Sequence, residues 1–277
     1  KNFFTATKCI KDLNDLEEVN KDGKRTLVLK PKALKLLNNC SLVTVPTEQC
    51  KDELIYLGVS NKIEVVPIGV NLARFDFSRD DEKAIFYRYY REDPKKKLVI
   101  AMGKYDPSMN GISAFISAAK KAPNSIFYYI GRTDKKTNLS LKFKKLINTT
   151  PKNVHFQTDM PNDVYRSALL NASVFMLPGY RVAGVISVYE AMAAKCEIIA
   201  RKSSCFNGLL DDGVNAHVGE FSETLSSLTK DCLDFKIRST VAQAYNTVSN
   251  RTLSVFGEEL KNIYEKLITN KGGKNND

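Results

Sequence analysis

The sequence lacks three features that would each indicate a definite class of protein. It has no apolar run approaching the ~20 residues of a membrane-spanning helix. It has no Cys-x-x-Cys pair of the kind that forms metal sites, and it has no GxxxxGK[ST] phosphate-binding loop. What remains is a chain of 277 residues, 43% hydrophobic and 26% charged, which is ordinary for a globular protein. That length suits one large domain or two smaller ones.

Histidine is scarce, and the cysteines are scattered. His155 and His217 lie far apart in strand-like segments, so an ordinary structural role is favoured for each. Cys196 lies in an apolar run and is expected to be a small core residue. We expect free thiols, a reducing compartment and no metal or other cofactor. The six cysteines are Cys9, Cys40, Cys50, Cys196, Cys205 and Cys232.

The chain is strongly basic, with a formal net charge of +11. Such a charge fits a soluble basic protein, and it equally fits one that meets nucleic acid, an anionic membrane surface or phosphate-bearing substrates. The lysines are spread out, and no run reaches the length of a basic nucleic-acid arm. Aromatic residues do not alternate with the basic ones as they do on a base-stacking surface. Nucleic acid is therefore not expected as a partner.

Short apolar runs alternate with amphipathic stretches along most of the chain. Runs of this kind, without strict alternation of polar and apolar residues, predict an α/β fold in which helices cover both faces of a parallel sheet. Helices are predicted between the strands, over Cys205–Leu210 and from Phe221 to the C-terminal region. The predicted strands are Ser41–Thr47, Lys62–Asn71, Lys96–Lys104, Ser125–Gly131, Asn153–Thr158, Ala172–Gly179, Glu197–Ala200 and Asn215–Glu220.

Ligands of such sheets bind beyond the carboxyl ends of the strands, so the loops there are candidate sites. Gly103 and Lys104 follow one predicted strand, and Gly131 and Arg132 follow the next. Glycine allows a ligand to approach the backbone, and the cations would attract phosphate. Each loop, taken alone, is better explained as a solvated turn.

The segment from Pro178 to Lys202 is the richest in candidate residues. Gly184 precedes a helix predicted to start near Val185 or Ile186, and the amides of a helix N-terminus favour phosphate. Glu190 lies about one turn inside this otherwise small and apolar helix. Its carboxylate could hydrogen-bond the vicinal hydroxyls of a ribose, or it could face solvent.

Four motifs in this order resemble the retaining, nucleotide-sugar-dependent GT-B glycosyltransferases of glycosyltransferase family 4. They are "PTEQCKDELIYLGVSNKIEVVPIGVNLARF" with its VPxGV turn, "VIAMGKYDPSMNG", "SVYEAMAAKCEIIARKSS" in place of a typical LEAMAxGxPVIA, and "GLLDDGVNAHV". The similarity runs from about Ser41 to Ile268. Within the family, two further stretches look most like Gram-positive diacylglycerol glucosyltransferases.

The resemblance implies a function and a set of roles. It implies transfer of a hexose from a UDP- or GDP-sugar, with retained anomeric configuration and no metal, to a lipid or glycan acceptor. Lys104 would bind the donor diphosphate, the amides around Val185 and Ile186 would face the phosphates, and Glu190 would bind the ribose. Gly103, Arg132 and Gly184 would complete the donor site. A cytoplasmic location, peripheral at the inner membrane face, is implied as well.

The resemblance also implies a domain organisation. Residues 1–75 would be the remnant of the N-terminal acceptor-side domain with its linker, and residues 76–250 the nucleotide-sugar-binding domain. A C-terminal helix over 251–268 and a disordered tail over 269–277 would follow. Rossmann-like parallel sheets are expected in both domains, and the acceptor-side catalytic residues are expected to be missing from this sequence.

The sequence departs from the family pattern at positions that matter. A glutamate that contacts the donor sugar is expected eight residues before Glu190, where this chain has Val182. A phosphate-binding lysine is replaced by Asn110, and the AxGxP element reads "AAKCEI". These departures keep a second hypothesis open. It is a degenerate glycosyltransferase-like subunit that binds nucleotide or a partner protein without turnover.

Overall fold

A computed structural model describes residues 16–21, 24–75, 80–103, 105, 111–131, 141–158, 160–179, 185–203, 206 and 208–272. The chain divides into two compact units. The first comprises the described residues of Lys1–Gly69, Asn207–Leu209 and Arg251–Asp277, and the second those of Val70–Phe206 and Leu210–Asn250. Lys104, Asn110, Arg132, Val182 and Gly184 lie outside the described residues.

The first unit combines a hairpin, a parallel strand pair and several helices. Strands β1 and β2 pair antiparallel, and β3 pairs with β4 in parallel. Thr47 caps α2 as its position in the sequence suggests, because its hydroxyl accepts a hydrogen bond of 3.2 Å from the amide of Cys50. The elements are β1 Leu16–Lys21, β2 Lys24–Leu29, α1 Pro31–Asn39, β3 Val43–Val45, α2 Glu48–Tyr56, β4 Ile63–Val65 and α10 Leu253–Gly272.

The second unit is built on one parallel sheet of six strands. The strand order is β10-β9-β8-β5-β6-β7, and every neighbouring pair is parallel. This is the doubly wound Rossmann order, in which the chain winds outward in both directions from a central pair. The strands are β5 Leu98–Met102, β6 Ile126–Ile130, β7 Val154–Gln157, β8 Ala172–Leu177, β9 Glu197–Arg201 and β10 His217–Gly219.

Helices connect these strands and cover the sheet. The α4 helix packs against α8, and α3 packs against α6. The helices of this unit are α3 Asp80–Tyr90, α4 Ile112–Lys121, α5 Leu141–Asn148, α6 Asn162–Asn171, α7 Val185–Ala193, α8 Ser222–Leu233 and α9 Val241–Ser249, and a 3-10 turn covers Leu72–Phe75.

The core lies on both faces of the central strands, as continuous apolar strands predict. All five residues of β6 are buried, and Leu98, Val99, Ile100 and Ala101 of β5 are fully buried. Cys196 is fully buried as expected. The α/β prediction with a parallel sheet is therefore confirmed.

Several boundaries differ from the sequence-based expectations. The predicted strand Lys62–Asn71 shortens to Ile63–Val65, because Pro67 follows and cannot donate a ladder hydrogen bond. The β1–β2 hairpin was not predicted at all. The C-terminal region is helical but interrupted between α8 and α9, where Phe235 has a positive φ of 57°. The last helix continues to Gly272, past the predicted range 251–268. Of the predicted helix Cys205–Leu210, Cys205 and Asn207 lie outside the described residues, and Gly208 and Leu209 lie in a turn instead of an α-helix.

Candidate functional site

The candidate site lies where the strand order reverses, between β5 and β8. Strands β6 and β7 extend the sheet on one side of this pair, and β9 and β10 extend it on the other. In doubly wound sheets the loops that leave such a central pair diverge, and ligands bind in the crevice between them at the carboxyl edge. Gly103 directly follows β5, and Pro178 and Gly179 directly follow β8.

Glycines allow the loops at this edge to pack backbone against backbone. Gly111, which precedes α4, has a positive φ of 69°, and a Cβ there would lie 2.7 Å from the amide nitrogen of Gly179. A Cβ on Gly131 would lie 2.5 Å from the carbonyl oxygen of Gly103. The amide of Gly103 itself donates to the carbonyl of Ile130 over 3.0 Å. The loops after three strands thus meet closely at this edge of the sheet, where a side chain would not fit.

Helix α7 begins at this edge and brings in the predicted ribose-binding residue. It starts at Val185, as predicted, and Val185 is buried while Ile186 is 41% exposed. Glu190 is five positions further on, about 7.5 Å along the helix axis. The N-terminal amides and the carboxylate therefore lie on one short helix that begins at this edge of the sheet.

Glu190 is mostly buried, and it has partners within the protein. Its side chain is 15% exposed, so it is not a solvated surface residue. Its Oε2 accepts a hydrogen bond of 3.1 Å from the hydroxyl of Tyr165, and its Oε1 lies 3.4 Å from Nη1 of Arg74. The carbonyl of Arg74 in turn accepts a hydrogen bond from Nε of Arg166. The carboxylate is thereby held in one orientation.

Burial makes the charged form of Glu190 costly. Burial raises the pKa of Glu190 above its usual value, although the hydrogen bond from Tyr165 and the charge of Arg74 partly offset this rise. A raised carboxyl pKa means that the folded state binds the proton more tightly than the unfolded state does. The free energy of unfolding therefore falls as the pH rises from the pKa of Glu190 in the unfolded chain to its higher pKa in the folded chain. Ionisable groups held at such a cost are concentrated at functional sites.

Comparison with known proteins identifies the family. The model of the family described as "Glycosyl transferases group 1" matches residues 84–234, which is more than half of the chain. The chain belongs to the glycosyl transferases group 1 family. The predicted family, and with it the prediction of a glycosyltransferase enzyme, is thereby confirmed.

Two relatives of this glycosyltransferase come from Acholeplasma laidlawii. One is the processive diacylglycerol alpha-glucosyltransferase, 24% identical over 246 residues that cover 87% of this chain and 73% of the relative. The other is the alpha-monoglucosyldiacylglycerol synthase, 26% identical over 70% of this chain and 53% of the relative. The predicted similarity to diacylglycerol glucosyltransferases is confirmed, and the chain spans only about half the length of the second relative.

Solved structures confirm the GT-B fold class. Anabaena HepE, crystallised in complex with UDP and glucose, superposes with a TM-score of 0.73 at 15% identity, covering 85% of this chain and 66% of HepE. The sucrose-phosphate synthase of Thermosynechococcus elongatus superposes with a TM-score of 0.71 at 16% identity, covering 86% of this chain and 61% of the synthase. At these identities the likeness concerns the fold.

The sequence reasoning missed Arg201, which supports the glycosyltransferase's loop after β8. This arginine ends β9 and is only 3% exposed. Its Nε donates to the carbonyl of Pro178 over 2.7 Å, its Nη1 to the carbonyl of Glu220 over 2.6 Å, and its Nη2 to Oγ of Ser222 over 2.9 Å. In the sequence, the charged residue at the end of the apolar strand "EIIAR" was the signal that could have indicated a buried arginine with specific partners. Arg201 thus ties the β8 loop to the start of α8.

Replacing Arg201 by lysine is expected to destabilise the fold by about 2–4 kcal/mol, because an ammonium group cannot reach all three acceptors of the planar guanidinium. Urea unfolding measures the change. Lys202→Met, at the exposed neighbouring position, serves as the control and should change stability by less than about 0.5 kcal/mol. Equal stability of Arg201→Lys and the native chain would show that the guanidinium geometry does not matter.

Proposed function

We propose that this chain forms the donor-binding part of a hexosyltransferase that takes its hexose from a UDP-sugar and retains the anomeric configuration. Membership of the glycosyl transferases group 1 family supports the reaction class. The structural neighbour HepE, crystallised in complex with UDP and glucose, supports UDP over GDP as the nucleotide. The observation that carries the proposal is Glu190, a costly buried carboxylate on the helix that begins at the switch point of the sheet.

The proposed donor pose follows from the order of groups along α7. The diphosphate would lie against the free amides near Val185 and Ile186, where the helix dipole favours negative charge. The ribose would lie about one and a half turns further on, where the carboxylate of Glu190 could accept hydrogen bonds from both vicinal hydroxyls. The cations Lys104 and Arg132 are proposed to approach the same phosphates from the loops after β5 and β6.

The same groups would assist the chemical step. When the bond between the hexose and the diphosphate breaks, negative charge develops on the departing diphosphate. The helix amides would stabilise this charge without reorganising, and Lys104 is proposed to add its positive charge. No metal is assigned to this step, because the groups proposed to stabilise the departing diphosphate are backbone amides and cationic side chains.

The proposed acceptor is lipid-borne. The two relatives from Acholeplasma laidlawii have names that specify diacylglycerol or its glucoside. The net charge of +11 would attract the chain to an anionic membrane surface. Within the described residues, no helix is long and apolar enough to cross a membrane. We therefore propose peripheral association with the inner membrane face.

Thermal unfolding with a panel of nucleotides tests the donor site. UDP or UDP-glucose, at about 100 times its Kd, should stabilise the chain by roughly 2.7 kcal/mol. GDP-mannose at the same concentration should stabilise it less. Absence of stabilisation by any nucleotide in the panel would contradict the proposal.

The second hypothesis, a degenerate subunit that binds without turnover, is supported by Val182 and Asn110, which replace a family glutamate and lysine. The two hypotheses make the same prediction for UDP binding and different predictions for turnover. Release of UDP from UDP-glucose by the full-length protein, measured with diacylglycerol vesicles, supports the transferase. Binding without any release supports the degenerate subunit.

A further inference from the structure

Three side chains of the metal-ligating type converge at the end of the sheet that is remote from the donor loops. Glu197 is the first residue of β9, His217 is the first residue of β10, and Cys232 lies in the last turn of α8. One ligand atom from each lies within 4.8 Å of the other two. Among the residues that the structure describes, this is the one such group of three.

The parallel register explains why these residues meet. His217 pairs with Ile199, and Glu197 lies two positions before Ile199, so both side chains project from the same face of the sheet. Helix α8 covers that face, with Leu225 and Leu233 in the same core as Ile199. Because Glu197 and His217 begin their strands, the group lies at the amino edge, about one strand length from the candidate donor site.

A buried nitrogen in this group has no hydrogen-bond partner among the residues that the structure describes. His217 is 8% exposed, and its Nε2 is buried without a donor or acceptor in hydrogen-bonding distance. The nearest carboxylate oxygen, Oε2 of Glu197, lies 3.8 Å away. Buried polar atoms are rarely left unsatisfied, so an unpaired nitrogen aimed into a cluster of ligand atoms indicates a missing partner.

The carboxylate of the group is oriented by neighbouring residues. Oε2 of Glu197 accepts hydrogen bonds from the amide and the hydroxyl of Thr240, over 3.1 Å and 2.9 Å. Such outer hydrogen bonds are typical of carboxylates that bind metal ions, because they fix the direction of the lone pairs. Cys232 is a free thiol, half-buried beside this carboxylate.

We propose that Glu197, His217 and Cys232 bind one Zn²⁺ ion, with water as the fourth ligand. One oxygen, one nitrogen and one sulfur ligand suit zinc better than they suit magnesium or calcium. Bond lengths of ~2.0–2.3 Å place tetrahedral ligand atoms roughly 3–4 Å apart, so small side-chain rotations complete the site. The ligands come from three separate elements, and this explains why no spacing motif is visible in the sequence.

The proposed ion would link three elements of the second unit. It ties β9, β10 and α8 together at the edge of the sheet, away from the donor loops. Burial, reinforced by the charges of Glu197 and Asp231, raises the pKa of the Cys232 thiol to about 12. The thiol is therefore protonated without metal, and Zn²⁺ binding releases this proton as the sulfur–metal bond forms.

Metal analysis of the purified 277-residue chain tests the proposal. The native chain, stripped with a chelator and dialysed against Zn²⁺, should retain about one equivalent of zinc and melt at a higher temperature than the stripped chain. Cys232→Ser and His217→Gln should each lose at least about tenfold in zinc affinity. Cys40→Ser and His155→Gln are the matched controls. His155 is a suitable control because its Nε2, like that of His217, lies close to a carboxylate, 3.4 Å from Oε1 of Glu92. His155 does not belong to the group of three ligands.

Cobalt binding to the native chain covers the case in which His217→Gln does not fold. Stripped native chain titrated with Co²⁺ should show the near-ultraviolet charge-transfer band of a thiolate ligand, and Cys232→Ser should lack it. Zinc retention by Cys232→Ser equal to that of the native chain, or no zinc retained by the native chain, would overturn the proposal. The response to UDP should be the same in stripped and zinc-loaded protein, since the two sites are separate.

Discussion

Glu190→Gln is expected to weaken UDP binding on the order of 10- to 100-fold, the largest functional effect that we predict. The amide of glutamine cannot accept two charge-assisted hydrogen bonds from ribose hydroxyls, and each such bond contributes about 1.5–3 kcal/mol. The ligand-free variant should be at least as stable as the native chain at neutral pH, because the cost of burying the charge is removed. Isothermal titration with UDP and urea unfolding measure the two quantities.

Glu92→Gln is the matched control for this prediction. Glu92 has the same side-chain exposure as Glu190, 15%, and it too accepts a hydrogen bond from a tyrosine, Tyr128, over 2.8 Å. It follows α3 and is not on the helix that begins at the switch point. UDP affinity should be unchanged in Glu92→Gln. Native UDP affinity in Glu190→Gln would mean that Glu190 has a structural role through Tyr165 and Arg74.

Gly111→Ala is expected to destabilise the second unit by about 2–5 kcal/mol and to abolish the stabilisation by UDP. Alanine in the left-handed region costs about 1–2 kcal/mol, and overpacking adds about 1–3 kcal/mol. The new methyl group would collide with the backbone carbonyl of Pro178 at well under 3.0 Å. Neither loop could then keep its place at the switch point. Urea unfolding and a UDP thermal shift measure the effect.

Gly213→Ala separates the collision from the backbone strain. Gly213 has a φ of 70°, almost that of Gly111, but a Cβ there meets no atom within 4 Å. This variant should lose only the about 1–2 kcal/mol of stability that a left-handed backbone conformation costs alanine, and its stabilisation by UDP should equal that of the native chain. Equal destabilisation by the two variants would show that the close approach to Pro178 is unimportant.

Much of the fold and part of the candidate site could be predicted from the sequence. Apolar runs such as Leu98–Met102 are continuous because both faces of a central parallel strand are buried, and that pattern is local. The start of α7 at Val185 could be predicted for the same reason, since glycine and the following small apolar residues indicate it. The length of strand β4 was overestimated because Val66 and Ile68 continue the apolar pattern past the end of the pairing.

The contacts of the candidate site could not be predicted in this way. Arg74 and Tyr165 are far from Glu190 in the chain, and they reach it because the 3-10 turn that carries Arg74 packs against α7 and against α6, the helix of Tyr165. A side chain at position 111 would collide with the backbone of Pro178, which follows a different strand, β8. No local pattern specifies such pairs.

The α/β class, the family and the candidate donor residues follow from the amino-acid sequence without any structure, because hydrophobic periodicity and short motifs are properties of neighbouring residues. Four features required the folded chain: the strand order, the burial and partners of Glu190, the support of the β8 loop by Arg201, and the meeting of Glu197, His217 and Cys232. Each of these depends on which strands become neighbours in the sheet, and the packing of the whole unit determines that.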